Sequence, residues 1–320
     1  MKKAIHIYIL ICMMLTTAVS CKRNANAEQI PVGIAWRPDS DAYTFRSTVE
    51  AVRAAGATPI LLKQVISSEL SYSADGKLEQ SYISELNMLR SEYAELIKAK
   101  RSYEHSNAAA EASKIRAVIF PGGADISPTL IADHAPIGES TEECDAERDV
   151  SDYLLMTYCL DQDMPILAIC RGMQMLAIVS GGSMIQDIPS YFAAKGENMP
   201  TLHRMPQSDN RDFAAHDILI TDKGSLMYRI VGSETISKIP SWHHEAAVMT
   251  DTALFAVTAV VPDGTGMIEA IERKDKRFVL GVQFHPEISF LGNPEGSLKD
   301  LTDPKLSLAF FTALTDAARK

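Results

Sequence analysis

Short apolar runs alternate with amphipathic segments along the first half of the chain. Runs of this length are typical of buried strands, and the segments between them carry apolar residues at helical spacing. The predicted strands are residues 30–35, 59–62, 117–120 and 166–169. The predicted helices are residues 43–55, 145–159 and 172–180. This alternation predicts an α/β fold: a mainly parallel sheet with helices on both faces.

The second half of the chain is richer in strand patterns. Its predicted strands are residues 216–220, 254–261, 267–273 and 278–284. Asp263-Gly264 and residues 274–276 supply turns between them, which indicates an antiparallel extension of the sheet. Residues 306–318 predict a closing amphipathic helix. We expect a single domain over residues 30–320, with active-site residues at the carboxyl ends of its parallel strands.

Residues 68–114, between the second and third predicted strands, form an unusually long connection. Apolar side chains recur there at helical, heptad-like spacing, at Tyr82, Leu86, Leu89, Tyr93 and Leu96. We predict a helical insertion whose apolar stripe packs on its own domain; a lid over the site or a homodimer surface is the alternative. We expect this segment to be peripheral to the chemistry.

Cys170 ends the apolar run of residues 165–169, and Gly172 and a helical pattern follow it. This pattern predicts a strand-to-helix turn that presents a nucleophile at a helix N-terminus. Backbone N–H groups and the helix dipole at that position favour the reactive thiolate. The alternative is a buried core cysteine, which is the commonest fate of a free thiol.

His285 and Glu287 follow the last predicted strand, and only Pro286 separates them. A nucleophilic thiol needs a base to take its proton, and the base needs a group that fixes its tautomer. A histidine and a carboxylate at one strand end meet both needs. Together with Cys170, they favour a catalytic interpretation over a structural one.

Several ordered motifs of the chain resemble the class I glutamine amidotransferase-like superfamily. They are residues 170–174, Gly181-Gly182, Gln186-Asp187, residues 241–244 and residues 281–287. Residues 120–128 and Arg148-Asp149 are similar to its gamma-glutamyl hydrolase branch, which includes stand-alone gamma-glutamyl-gamma-aminobutyrate hydrolases. The resemblance implies a flavodoxin-like sheet and a cysteine hydrolase that acts on a small gamma-glutamyl substrate.

The resemblance also implies roles for particular residues. Cys170 would be the nucleophile, His285 the general base and Glu287 its orienting partner. The backbone N–H groups of Gly123 and Arg171 would form the oxyanion hole. The glutamyl head group would be held by Gln174, Ser241, Trp242, His243 and His244.

Two residues depart from the pattern of the branch. Phe284 stands where tryptophan is common, and we expect it to pack harmlessly. Glu245 stands where glutamine is usual. It would add a negative charge near a carboxylate-binding site, so we expect it to bear on substrate choice.

The N-terminus predicts export. Lys2 and Lys3 precede a nearly continuous apolar run over residues 4–15, and small residues follow up to Cys21. This is a signal-peptide pattern over residues 1–20, too short for a comfortable membrane span. Cys21 resembles the lipidated cysteine of a bacterial lipoprotein, with residues 21–29 as a tether. A plain secretory signal with an incidental cysteine is the alternative.

Composition narrows the range of partners. The formal charge is −10, and removal of Lys2 and Lys3 would make it −12. An acidic chain without basic clusters is a poor candidate for nucleic-acid binding. We expect no cofactor and no metal, because the cysteines and histidines lack zinc-like spacing and His243 and His244 are adjacent.

Two other functions remain open on the sequence. An ammonia-donating amidotransferase subunit would need a synthetase partner, and this chain contains no synthetase pattern. A non-catalytic surface binding lipoprotein could use the same scaffold, although Cys170, His285 and Glu287 are all present. Hydrolysis assays with and without Cys170 would separate the three possibilities.

Overall fold

A mixed β-sheet organises the residues that the computed structural model describes, which are 29–40, 42–131, 142–205, 213–249, 254–292 and 300–320. The strands are β1 Ile30–Ile34, β2 Ala57–Leu61, β3 Ala117–Phe120, β4 Ile166–Ile169, β5 Ser183–Ile185, β6 Ala214–Ile220, β7 Thr235–Ser241, β8 Ala246–Val248, β9 Phe255–Val260, β10 Ile268–Arg273 and β11 Val279–Val282. The helices are α1 Tyr43–Ala54, α2 Ser91–Lys98, α3 Ala108–Ala112, α4 Ala146–Asp161, α5 Arg171–Val179, α6 Ile188–Ala194, α7 Leu226–Val231, α8 Pro286–Leu291 and α9 Pro304–Ala318.

The strand order of the main sheet is β2-β1-β3-β4-β11-β10-β9-β6-β7. The first five of these strands are parallel, and β11 pairs with β4 so that Val282 lies opposite Ile169. From β11 onward every neighbour is antiparallel. The predicted α/β class, the parallel half and the antiparallel extension are confirmed. Because β3, β4 and β11 are adjacent and parallel, their carboxyl ends meet at one edge.

Two apolar clusters cover the two faces of the sheet. One contains the buried sides of α4 and α5, and the other contains those of α1 and α9. Each parallel strand is buried on both faces; β3, β4 and β11 have no exposed residue. This explains why these strands are continuous apolar runs rather than alternating patterns.

Strand β7 was not predicted from the sequence. Its pattern is interrupted by Pro240 and by Lys238, which has a left-handed φ of 57°. Both features fit an edge strand, and β7 is the last strand of the sheet. The small β5–β8 sheet and the short helices α6, α7 and α8 were also missed.

The prediction of one amphipathic helix through residues 82–96 is wrong. Residues 80–82 and 85–87 are short 3-10 turns, Leu86 has a φ of 58°, and only α2 is α-helical in this stretch. Ile83 and Leu89 form an antiparallel bridge, so the chain reverses between them. Leu86 is 48% exposed, whereas Leu89 is fully buried.

The 68–114 segment packs on its own domain. Its buried residues join the cluster that contains α4 and α5. The backbone N–H of Leu89 donates to Ser127 Oγ at 2.8 Å, and Thr129 Oγ1 donates to the Leu89 carbonyl at 2.7 Å. The segment is therefore part of the core and is anchored to the loop that follows β3.

The predicted signal peptide, Cys21 and nearly all of the predicted tether lie outside the described residues. Within the described residues, no helix is both long and apolar enough to span a bilayer.

Candidate active site

Cys170 lies between the end of β4 and the first residue of α5. Its backbone has φ 52° and ψ −110°, a conformation that a side chain with a Cβ rarely adopts. Two hydrogen bonds hold it there: its N–H donates to the Val282 carbonyl at 2.8 Å, and its carbonyl accepts from Gln174 N at 3.1 Å. Strain of this kind is typical of a strand-to-helix nucleophile elbow.

Gly172 is small for a different reason from the one expected. It does not make the sharp turn, because its φ is not positive, whereas that of Cys170 is. A Cβ on Gly172 would lie 2.2 Å from the carbonyl oxygen of Phe120. The glycine thus allows α5 to lie directly against the end of β3.

His285 and Glu287 form a buried pair after β11. Nδ1 of His285 lies 2.7 Å from Oε1 of Glu287, and since an ionised carboxylate only accepts, Nδ1 carries the proton. The His285 N–H donates to the Pro240 carbonyl at 2.9 Å, which ties the residue to β7. Burial acts to lower the pKa of His285, but Glu287 and Cys170, which also hydrogen-bonds it, raise that pKa to about 10.

The loop after β3 brings Gly122 and Gly123 to the same edge. Arg148 donates to the carbonyls of Gly122 at 3.0 Å and Pro121 at 2.6 Å, and Arg37 donates to Gly122 at 3.1 Å. A Cβ on Gly123 would lie only 1.9 Å from Nη1 of Arg148. Two arginines therefore fix the path of this loop from behind.

The Arg171 side chain points into the protein and forms two buried ion pairs. Its guanidinium lies 2.6 Å from Asp149 and 2.5 Å from Asp152. Asp149 also accepts from Ser127 Oγ at 2.5 Å and Ser127 N at 2.9 Å. Burial raises the pKa of Asp149 to about 6, although Arg171 and Ser127 oppose the shift.

The backbone N–H groups of Gly123 and Arg171 have no hydrogen-bond partner among the described residues. Arg171 is the first residue of α5, where a helix leaves its N–H groups without an internal acceptor. The structure places Gly123 beside the Arg171 side chain, whose Cδ would be 3.6 Å from a Gly123 Cβ. These two N–H groups are the donors that an oxyanion hole at this edge would use.

The Ser241–Glu245 stretch is divided between the site and the interior. The Trp242 carbonyl lies 3.8 Å from Sγ of Cys170. The Ser241 hydroxyl donates to the His203 carbonyl at 2.7 Å, and His243 Nδ1 lies 2.7 Å from the Glu245 carbonyl. The side chains of Ser241 and His243 are thus engaged inside the protein rather than presented to a substrate.

His244 lies between two carboxylates. Its Nε2 is 3.1 Å from both oxygens of Asp125, and its Nδ1 is 3.1 Å from Asp187. Burial acts to lower the pKa of His244, but Asp125 and Asp187 raise it overall. The protonated ring therefore donates from both nitrogens. Sequence reasoning missed Asp125 as a member of this group, although it lies in the motif of residues 120–128.

Glu245 is buried close to Cys170 and Asp125. Burial first, and then the charges of Asp125 and Cys170, raise its pKa well above the usual 4.5. A protonated carboxyl group is neutral and carries one donor and one acceptor, much like the glutamine amide that is usual in the branch. The expected extra negative charge is therefore suppressed.

Two groups of side chains bring together atoms that could hold a metal ion: Asp125, Glu142 and His244, and a buried cluster of His203, His216, His243 and Glu269. In the first group, both nitrogens of His244 already donate to carboxylates, so neither offers a lone pair. In the second group, burial lowers the pKa of His243 to about 4, so its ring is neutral. Burial alone would raise the pKa of Glu269, but the imidazoles around it hold it well below its usual range.

Comparisons with known proteins agree with this geometry. The model of the family described as Peptidase C26 matches residues 73–287, so the match begins inside the 68–114 segment. Protein NtpR of Enterococcus hirae is 38% identical over 189 residues, which cover 58% of this chain and 72% of NtpR. The gamma-glutamyl-gamma-aminobutyrate hydrolase PuuD of Escherichia coli K12 is 28% identical over 180 residues, which cover 54% of this chain and 65% of PuuD.

Among solved structures, a candidate GMP synthase component from Thermoplasma acidophilum aligns with 92% of this chain and 96% of its own. The TM-score is 0.50 at 13% identity, which shows a shared fold and nothing about activity.

Proposed function

Because the chain belongs to the Peptidase C26 family, a class I glutamine amidotransferase-like group, we propose that it hydrolyses gamma-glutamyl amide bonds through Cys170, His285 and Glu287. The observation that carries this proposal is the strained backbone of Cys170, which presents its thiol to an imidazole whose other nitrogen is held by a carboxylate. A structural cysteine would need neither the strained turn nor the buried His–Glu pair.

In the proposed reaction, His285 takes the thiol proton and the Cys170 sulfur attacks the gamma-carbonyl carbon. The oxyanion lies between the backbone N–H groups of Gly123 and Arg171. On collapse, His285 gives the proton to the leaving amine, and a thioester remains. Water, deprotonated by His285, then attacks the thioester and releases glutamate and the free thiol. Each oxyanion donor would supply about 2.7–4 kcal/mol of transition-state stabilisation.

The raised pKa of His285 supports the role of general base and acid. Glu287 is buried with the ring and stabilises its protonated form. An imidazolium beside Cys170 both favours the thiolate and holds the proton that the leaving amine needs.

The glutamyl head group carries an α-ammonium and an α-carboxylate, and the site offers groups of both signs. The protonated His244 suits the carboxylate, and Asp125 suits the ammonium. The neutral Glu245 and Gln174 supply uncharged polar contacts. We keep Trp242 as a contact through its carbonyl, and we place Ser241 and His243 behind the pocket as support.

We also propose that the protein is exported and attached to the bacterial membrane through a lipid on Cys21. The support is the basic, apolar and small-residue order of residues 1–20. On this proposal, any membrane association comes from the lipid rather than from the catalytic domain.

The experiment that tests the function compares wild type with Cys170→Ala on a panel of gamma-glutamyl amides, peptides and glutamine, with products identified by mass spectrometry. Wild type should release glutamate, and the alanine variant should bind substrate but release none. Iodoacetamide should label Cys170 first, because burial raises the pKa values of Cys144 and Cys159. Full turnover by the folded alanine variant would contradict the assignment. Release of ammonia from glutamine alone would favour the amidotransferase alternative.

A further inference from the structure

Four buried side chains outside the catalytic residues converge on one point in the antiparallel half of the molecule. They are His203 before β6, His216 on β6, His243 after β7 and Glu269 on β10. None is more than 8% exposed, and their nearest nitrogen and oxygen atoms all lie within 4.8 Å of one another. The sequence offers no hint of this group, because its members come from four separate elements.

The distances within the cluster fit a tetrahedral ion. Nδ1 of His203 lies 3.1 Å from Nε2 of His243 and 3.4 Å from Oε1 of Glu269. That oxygen lies 3.6 Å from Nε2 of His216 and 3.5 Å from Nε2 of His243. Ligands about 2.0–2.1 Å from a tetrahedral zinc are about 3.3 Å apart, which is the centre of this range.

Several polar atoms at the centre lack partners in the described structure. Both carboxylate oxygens of Glu269 and Nε2 of His216 are buried and make no hydrogen bond. Leaving a buried carboxylate without hydrogen bonds is costly, and buried charges are normally paired or bound to metals. A cation among the three imidazoles and the carboxylate would satisfy all of these atoms together.

Two of the histidines are oriented as metal ligands usually are. Nδ1 of His243 lies 2.7 Å from the Glu245 carbonyl, and Nδ1 of His216 lies 3.1 Å from the Asp217 carbonyl. A carbonyl only accepts, so each Nδ1 carries the proton and each Nε2 turns a lone pair toward the cluster. Metal-bound histidines typically donate their second N–H to a carbonyl or carboxylate in this way.

We propose that His203, His216, His243 and Glu269 bind one zinc ion in a closed, four-coordinate structural site. Three imidazoles and one carboxylate are ligands that zinc accepts, and the four fill a tetrahedron without an open position. The ion takes no part in amide hydrolysis, and the proposal is independent of the proposed function.

Such an ion would support the wall of the active site. His243 directly follows Trp242, whose carbonyl lies 3.8 Å from the Cys170 sulfur. Phe213 packs edge-on against both Trp242 and His285, at centroid distances of 4.8 and 5.3 Å. By fixing His243 and His216, the ion would join β6, the end of β7 and β10 behind these residues.

The test is zinc content and zinc affinity of the purified full chain. After treatment with a chelator and titration with zinc sulfate, wild type should bind one equivalent and melt at a higher temperature, since a ligand that binds only the folded state stabilises it. X-ray absorption at the zinc edge should show nitrogen and oxygen ligands and no sulfur. A folded wild type that binds no zinc and shows no thermal shift overturns the proposal, as does a sulfur ligand.

Matched variants locate the ion. Glu269→Gln and His216→Gln should weaken zinc binding by more than the about 10–100-fold typical of losing an outer partner of a ligand. His105→Gln removes the imidazole of an exposed histidine and should bind zinc as wild type does. If the two cluster variants keep wild-type affinity, the site is elsewhere and the proposal is wrong. If both fail to fold, the zinc-edge spectrum of wild type still decides between three imidazoles and any other ligand set.

Discussion

Gly122 lies against both Cys170 and His285. A Cβ on this glycine would be 2.8 Å from Cε1 of His285 and 3.4 Å from Cβ of Cys170. The space at this position is therefore occupied by the histidine ring, and any side chain at residue 122 would displace it. The glycine is needed for close approach, since its φ is not in the left-handed region.

Gly122→Ala should lower kcat while leaving the fold largely intact. The added methyl would push His285 away from Cys170, and a misplacement of about 1 Å can cost about 100-fold in rate. Gly33→Ala is the matched control, because its Cβ would meet the end of the Ile115 side chain at 2.6 Å within the core. Steady-state kinetics and thermal melting of both variants check this. Equal losses of kcat in both, or none in Gly122→Ala, would contradict it.

Glu287→Gln should slow turnover less than His285→Ala does. The amide can still hold the ring, but it cannot stabilise the imidazolium that develops in the transition state. Loss of His285 removes the general base itself, which is typically worth about 10²–10⁴-fold. Rates measured on one gamma-glutamyl amide compare the two. The assignment of roles fails if the folded glutamine variant is as inactive as the alanine variant.

Glu245→Gln should remove a pH-dependent loss of stability. The folded pKa of Glu245 lies above the usual 4.5, so the folded chain keeps a proton that the unfolded chain releases. This stabilisation is fully present below pH 4.5 and is lost as the pH rises through the folded pKa. The melting temperature of Glu245→Gln relative to wild type should therefore increase over that window.

The exposed residue Glu69 provides the control for Glu245, as Glu69→Gln should follow wild type at every pH. Parallel curves for wild type and Glu245→Gln would show that Glu245 is ionised in the folded protein. Retained turnover in Glu245→Gln would further indicate that the neutral carboxyl group acts as a glutamine would.

Leu86 and Leu89 belong to the same predicted stripe but should respond differently to truncation. Leu89→Ala empties a fully buried site and should cost about 2–5 kcal/mol of unfolding free energy. Leu86→Ala removes a side chain that is 48% exposed and should change stability by only about 0.5 kcal/mol. Urea unfolding of the two variants checks this. Similar losses would show that the stripe is buried as a whole, as the sequence had suggested.

Cys21→Ser should move the protein from the membrane fraction to the soluble fraction without changing its specific activity. The lipid would be the anchor, and the catalytic residues lie in a domain that begins at β1. Fractionation and an activity assay of both fractions measure the effect. Wild type that is already wholly soluble would contradict lipid attachment.

Local patterns in the sequence were enough to predict most of the sheet's buried elements. Continuous apolar runs predicted β3 and β4 to the residue, because strands covered on both faces have no polar positions. The same pattern placed Cys170 at the turn into α5. His285 and Glu287 were identifiable because they are close in sequence, so their pairing needs only local structure.

Features that depend on strand order and on the packing of distant segments could not be predicted in this way. The sequence predicted a single helix through Leu86 and Leu89, but contacts with Ser127 and Thr129 hold Leu89 in the core while the chain reverses at Leu86. Helical spacing does not determine which side of a segment meets the rest of the fold.

The buried His203–Glu269 cluster shows the same limit at the site. Adjacent His243 and His244 look alike in the sequence, yet one turns to Glu269 and the other to Asp125. Their surroundings are set by where β6, β9 and β10 lie in the sheet, and β9 separates the other two in that order. Local patterns encode burial and element type, whereas the meeting of side chains from separate strands is fixed only when the whole sheet has formed.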